Sequence, residues 1–227
     1  MENKIPKKLL EVYKKFDNCK RCKRSINPLK HILGGGKFKR PQFLFLFINP
    51  THSNIASHQD YQGKRRFPFI GVRHFYRLLS MAGFMDKAII EKIYKRKWQT
   101  NDENIIEQSL IKNNVYITNL IKCTQSNPDN PKKQIINDDF SLIQEEIKIV
   151  SPKYIVTFGN LVFKAITNRS IVLKDCLKAM KVNKYQPFKS IAILGKKYNV
   201  LPCYFPIGRG NPKKAVEILT YIKKRFT

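Results

Sequence analysis

Six consecutive apolar residues, Phe43-Leu44-Phe45-Leu46-Phe47-Ile48, end abruptly at Asn49-Pro50. No other feature limits the fold of this chain as much. A strand with one wet face alternates apolar and polar side chains, so an unbroken run needs cover on both faces. Two more runs share the form. Val115-Tyr116-Ile117-Thr118 stops at Asn119, and Tyr154-Ile155-Val156-Thr157-Phe158 stops at Gly159. Around them the apolar period lengthens to that of helices, over residues 73–83, 86–95, 134–149 and 160–168. Residues 4–16, with Ile5, Leu9, Leu10 and Val12 on one side, and residues 212–226 read as further helices. Residues 191–194 and Tyr198 to Cys203 are expected to be two strands joined through Gly195-Lys196-Lys197. Gly34, Gly35 and Gly36 mark a loop, residues 51–71 a long polar one, and residues 170–188 follow no clear period. Strands alternating with helices imply an α/β fold: a three-layer α/β/α sandwich around a central, mostly parallel four-stranded sheet. A length of 227 residues fits one such domain over 1–227, with a sizeable core. Ligands of these sheets bind beyond the C-terminal strand ends, which singles out Asn49, Asn119, Gly159 and the loop after Cys203.

Charge narrows the partner. Lysine and arginine number 44 against 16 acidic residues, a formal net charge of +28. Such an excess repels itself in a compact state and calls for a polyanion, and nucleic acid fits best. An AT-rich genome also enriches lysine, but it does not remove acidic residues. No stretch approaches the length of an apolar membrane span, and Met1 to Lys15 has no signal-peptide centre. A cytoplasmic, nucleoid-associated monomer is expected. Five cysteines, an odd number, argue for metal binding or core packing rather than a disulfide framework.

Four segments stand in a telling order. They are Phe47-Ile48-Asn49-Pro50; Gln62-Gly63 followed by Pro68-Phe69-Ile70-Gly71; Ile117-Thr118-Asn119-Leu120-Ile121-Lys122-Cys123; and Leu201-Pro202-Cys203-Tyr204-Phe205-Pro206 with Arg209-Gly210-Asn211-Pro212 behind it. With them, the chain resembles the uracil-DNA glycosylase superfamily over nearly its whole length. Overall it is most similar to family 4, the thermostable iron–sulfur type. Three departures stand out. Arg65 and Arg66 are added between Gln62-Gly63 and the Pro-Phe pair. The first motif, usually Gly-Glu-x-Pro-Gly in family 4, has the Asn-Pro of mismatch-specific glycosylases. Phe205-Pro206 stands where many members have His-Pro.

The resemblance implies a monofunctional DNA glycosylase that flips uracil, or another deaminated or mismatched base, out of DNA and leaves an abasic site for base excision repair. It implies that Asn49 positions the attacking water, that Asn119 reads the base edge and that Phe69 stacks on the flipped ring. Phe205 would border the base, and backbone N–H groups around Phe205 to Gly208 would replace the missing histidine donor. DNA contacts would come from Arg65, Arg66 and the loop Pro206-Ile207-Gly208-Arg209, with Ile207 or Arg209 filling the gap in the duplex. A superfamily member that binds nucleic acid without cleaving it, and a glycosylase for a bulkier modified base, remain alternatives. Taken singly, each residue has a plainer meaning: Asn49-Pro50 and Asn119 as turn formers, Phe69 as core. His52, His58 and His74 lack metal-ligand spacing and read as surface or loop residues.

Cys19, Cys22 and Cys123 match three of the four ligands of the family-4 cluster, while the fourth ligand position falls near Phe140. The thiolates would hold a [4Fe–4S] cluster with an unusual fourth ligand, or zinc completed by His31 or an aspartate, or would simply pack. Any metal here would be structural, since the chemistry needs none. Cys176 and Cys203 match no ligand position.

Overall fold

The unbroken apolar runs form the centre of the sheet. A computed structural model describes residues 3–18, 31–51, 67–96, 98–99, 101–124, 133–189, 192–208 and 210–227. In chain order the elements are α1 (Lys7–Asp17), β1 (Gly35–Gly36), β2 (Phe43–Phe47), α2 (Arg73–Met81), α3 (Lys87–Tyr94), α4 (Asp102–Lys112) and β3 (Val115–Asn119). There follow α5 (Lys133–Val150), β4 (Tyr154–Phe158), α6 (Asn160–Thr167), α7 (Leu173–Lys181), β5 (Phe188–Lys189), β6 (Asn199–Cys203) and α8 (Pro212–Phe226). The six-stranded sheet runs β1-β3-β2-β4-β6-β5. Its four central strands are parallel, and the two-residue edges are antiparallel. The expected α/β sandwich with a four-stranded parallel centre is present, and the two edge strands are added to it.

Alternation along the strands splits the core in two. Phe43, Phe45 and Phe47 of β2 join Val115 and Ile117 of β3, Val156 and Phe158 of β4, and helices α2, α3 and α8 on one face. Leu44, Leu46, Tyr116 and Ile155 face α1, α5 and α6 on the other. Both faces are dry, as the unbroken runs require.

Several local expectations are corrected. In α1 the buried stripe is Leu9, Val12, Tyr13 and Phe16, whereas Ile5 and Leu10 are exposed. The glycine triplet is an edge strand as well as a loop, and close contact explains its composition. A Cβ at Gly34 would lie 1.8 Å from the Tyr116 hydroxyl, and one at Gly35 2.6 Å from the Phe67 Cβ. Residue 191 lies outside the described residues, and residues 192–194 are not a strand. Ile193 and Lys196 only bridge each other across Leu194 and Gly195, both at positive φ, a tight hairpin turn. The partner of β6 is instead Phe188–Lys189. Helices α4 and α7 go unread in the sequence. The buried side of α4 carries Asp102, Glu103 and Glu107, residue types that signal a solvated face. Asp102 is tolerated there because the Arg96 guanidinium grips both its oxygens, at 2.8 and 2.6 Å, and the Gln99 N–H donates to it at 2.7 Å.

The core sets an alkaline limit on stability. Burial pushes the Cys203 thiol and the Tyr116 and Tyr185 phenols well above their ordinary ranges, and the Cys176 thiol up to about 11. In the unfolded chain these groups ionise near ~8.5 and ~10, so the folded state holds more protons and stability falls as pH rises past those values. Burial lowers Lys122 and Lys223, and their opposite slope ends near ~10.4, where both states become neutral. The urea midpoint is therefore expected to fall steeply above about pH 10, with phenolate absorbance from the buried tyrosines rising only as the chain unfolds. A midpoint that stays level across that range contradicts this account of the core.

Candidate active site

The C-terminal ends of β2, β3, β4 and β6 lie side by side, and the residues singled out by the sequence gather there. Phe47 is the hub. Its cross-strand neighbour on β3 is Asn119, and Asn49 follows two residues later. Its ring stacks on Phe158 at 4.3 Å and meets the edges of Phe69 at 4.7 Å, Phe75 at 5.5 Å and Phe205 at 6.3 Å. These rings form an aromatic floor with Asn119 beside it. Phe47, Phe75 and Phe158 were not singled out in the sequence as site residues. Phe47 opens the first motif and Phe158 closes an apolar run, but neither pattern marks a ring at the site.

Asn119 is the notable member. Val115 and Ile117 of β3 pack on the aromatic side of the sheet, so period two turns Asn119 to that side too. Its side chain is 1% exposed, and its amide nitrogen has no hydrogen-bond partner among the described residues. A buried donor left unpaired costs about 1–3 kcal/mol, an unusual expense in a folded core. Asn49 is also buried, and its amide nitrogen donates to the Pro50 carbonyl at 3.4 Å, a long bond.

Phe69 sits in the turn after Phe67 with φ +62, in the left-handed region that bulky residues avoid. Three contacts hold it there. The Val72 N–H donates to its carbonyl at 2.8 Å, Tyr76 Oη donates to the Pro68 carbonyl at 3.0 Å, and its ring stacks on Phe75 at 4.1 Å. Strained conformers of this kind persist where the surroundings over-determine them, as at ligand sites.

On the far side, the loop after β6 folds tightly onto the start of α8. The Asn211 N–H donates to the Phe205 carbonyl at 2.9 Å and the Gly210 N–H to the Ile207 carbonyl at 3.0 Å. A Cβ at Gly210 would lie 1.9 Å from the Phe205 oxygen, so only glycine fits. Asn211 caps α8 through the Lys214 N–H at 3.1 Å. The Lys214 ammonium lies 5.4 Å over the Tyr204 ring, which puts a cation and a helix N-terminus at the rim. Phe205 is half-buried, 6.4 Å from the Phe69 ring. Pro206 is buried and Gly208 is exposed. Ile207 is only 8% exposed and belongs to the core, so in this conformation it is no protruding wedge. Arg65, Arg66 and Arg209 lie outside the described residues, as do His52 and His58; His74 is exposed on α2.

Of the cysteine set, Cys19 and Cys22 lie outside the described residues. Cys123 is buried just past β3. The chain of His31 passes close by, since the Ile32 N–H donates to the Lys122 carbonyl at 3.0 Å, and His31 Nδ1 lies 3.6 Å from Asp17. Phe140 is half-buried against the α1 side of the core, so no thiol stands at the fourth position. Cys176 and Cys203 are buried free thiols, and Cys203 Sγ donates to the Ala215 carbonyl at 3.7 Å.

A strand-end site of two amides on an aromatic floor agrees with what comparison with protein families finds. The family model of the uracil DNA glycosylase superfamily matches residues 36–223. The chain belongs to that superfamily. The match takes in every central strand and every described site residue. No curated protein matches the chain in sequence. The superfamily is one of DNA glycosylases, which act on DNA, and among the described residues no helix is long and apolar enough to cross a membrane.

Proposed function

We propose that this superfamily member hydrolyses the N-glycosidic bond of uracil, or of another deaminated or mismatched base, flipped out of DNA. The observation that carries the reading is the buried amide nitrogen of Asn119, on the aromatic side of the sheet and without a hydrogen-bond partner among the described residues. An asparagine side chain offers an acceptor and donors side by side, which match uracil N3–H and O4 together. Cytosine presents the opposite pattern. Phe69, locked in its strained turn, supplies a ring beside the base.

Asn49 holds the attacking water. An amide is too weak a base to take the proton outright, so its contribution is placement. The sugar develops oxocarbenium character while uracil leaves as an anion, and positioning with electrostatics carries the rate. Gly208 faces the DNA with the buried Pro206 shaping its loop, Arg65 and Arg66 hold phosphates, and Arg209 fills the gap left by the flipped nucleotide, since Ile207 is engaged in the core. Cys19, Cys22 and Cys123, with His31 or an aspartate, form the candidate donor set for zinc or a cluster, although among the described residues no three such groups come together. Such a group would supply only a structural tie between the N-terminal segment and the end of β3.

Phe205 supports one variation. An aromatic ring in place of a histidine donor makes the pocket less polar, which supports a modified base as an alternative substrate.

The test uses labelled single-stranded and duplex DNA carrying one uracil, followed by alkaline cleavage of abasic sites. A cut that depends on uracil is expected, and binding should weaken by about 10³-fold or more between 50 and 200 mM salt, as for several phosphate contacts. Tight, salt-sensitive binding without a cut would reject uracil as substrate and turn attention to modified bases. A level salt response would remove the electrostatic argument altogether.

A further inference from the structure

Beneath Asn119, on the opposite face of β3, lies a buried polar cluster that the glycosylase chemistry does not use. Lys122 and Glu146 are both fully buried and form an ion pair at 2.7 Å. The other oxygen of Glu146 accepts from Tyr116 Oη at 2.5 Å and from Thr118 Oγ1 at 2.7 Å. Lys122 also bonds to Thr118 Oγ1, four residues back, and Tyr13 Oη on α1 meets Tyr116 Oη at 2.7 Å. Burying both charges is costly, and packed apolar residues in such places are often as stable or more so. Stability alone therefore gives little reason for the cluster.

Its placement gives a better one. Thr118 and Lys122 flank Asn119 on either side, and Glu146 ties both to α5. On the other edge of the same segment, the Leu120 N–H donates to the Phe47 carbonyl at 2.7 Å and the Ile121 N–H to the Ile48 carbonyl at 2.9 Å. The turn carrying Asn119 is thus held from two directions, and the second tie also fixes the chain that leads into Asn49. The Asn119 amide nitrogen has no hydrogen bond of its own among the described residues, so its aim depends on how firmly this backbone is held.

We propose that Lys122, Glu146 and Thr118 act as a clamp of positioning residues that aims the Asn119 amide at the flipped base. The catalytic consequence rests on the glycosylase reading, whereas the clamp itself does not. The test is the double variant Lys122→Met/Glu146→Leu, which removes both charges together and leaves apolar packing. Two quantities are compared with the parent in full-length protein: the single-turnover excision rate, and the side-chain NH₂ resonances of Asn119, assigned by their absence in Asn119→Asp. The expected result is a folded protein with the parent's DNA affinity, broadened or shifted Asn119 resonances, and excision slowed by about 10–100-fold, as for a misaimed group. Should the double variant fail to fold, Thr118→Val, which removes a single hydroxyl, carries the same two readouts. A folded variant with unchanged Asn119 resonances, or with the parent's excision rate, overturns the clamp. If the parent itself leaves uracil in place, the uracil reading falls, and the Asn119 resonances alone decide the clamp.

Discussion

Asn119→Asp is expected to lower uracil excision by about 10³-fold and to move the remaining activity towards cytosine. The reason is donor and acceptor arithmetic. The parent amide accepts from N3–H and donates to O4; an ionised carboxylate only accepts, and it repels the uracil anion as that leaves. Removing one well-aimed donor to a developing anion typically slows a reaction by about 10²–10³-fold, and a site built to hydrogen-bond its substrate discriminates more strongly still. Asn119 is 1% exposed, so burial opposes ionisation of an aspartate placed there. In its neutral form that carboxyl presents a donor and an acceptor in the order that cytosine N3 and N4 require. Excision from matched DNAs carrying uracil or cytosine measures both halves. Uracil excision within a few-fold of the parent would show that Asn119 does not read the base.

The layout of this site was legible in the sequence because its logic is local. Phe43–Phe47, Val115–Asn119 and Tyr154–Phe158 are strands buried on both faces, so an unbroken apolar run ended by Asn or Gly marked both the strand and the end where the candidate residues gather. The less legible parts depend on partners that hydrophobic periodicity does not name. The carboxylates of α4 are of a residue type that signals a solvated face, whereas Arg96, outside the helix, grips Asp102. Ile207 looked like a loop tip, and packing rather than sequence puts it in the core. The charge of Lys122 counted only towards the surplus, although the residue is fully buried against Glu146. The Lys122–Glu146 pairing, 24 residues apart in the chain, leaves no periodic trace.

Asn49→Ala bears on the chemical step itself. The side chain lies just past the end of β2, buried, and among the described residues its amide nitrogen makes one long bond, to the Pro50 carbonyl. Alanine removes the groups that would orient water without adding charge or bulk. Losing the placement of a nucleophile should slow excision by about 10²–10³-fold. DNA affinity should stay close to the parent's, because binding rests on the lysine and arginine surplus and the phosphate contacts. Single-turnover cleavage and equilibrium binding, measured at one salt concentration, separate the two effects. A parallel loss of both would make Asn49 a structural residue of the β2 end, holding the turn at Pro50. An unchanged cleavage rate would require a different group to place the water.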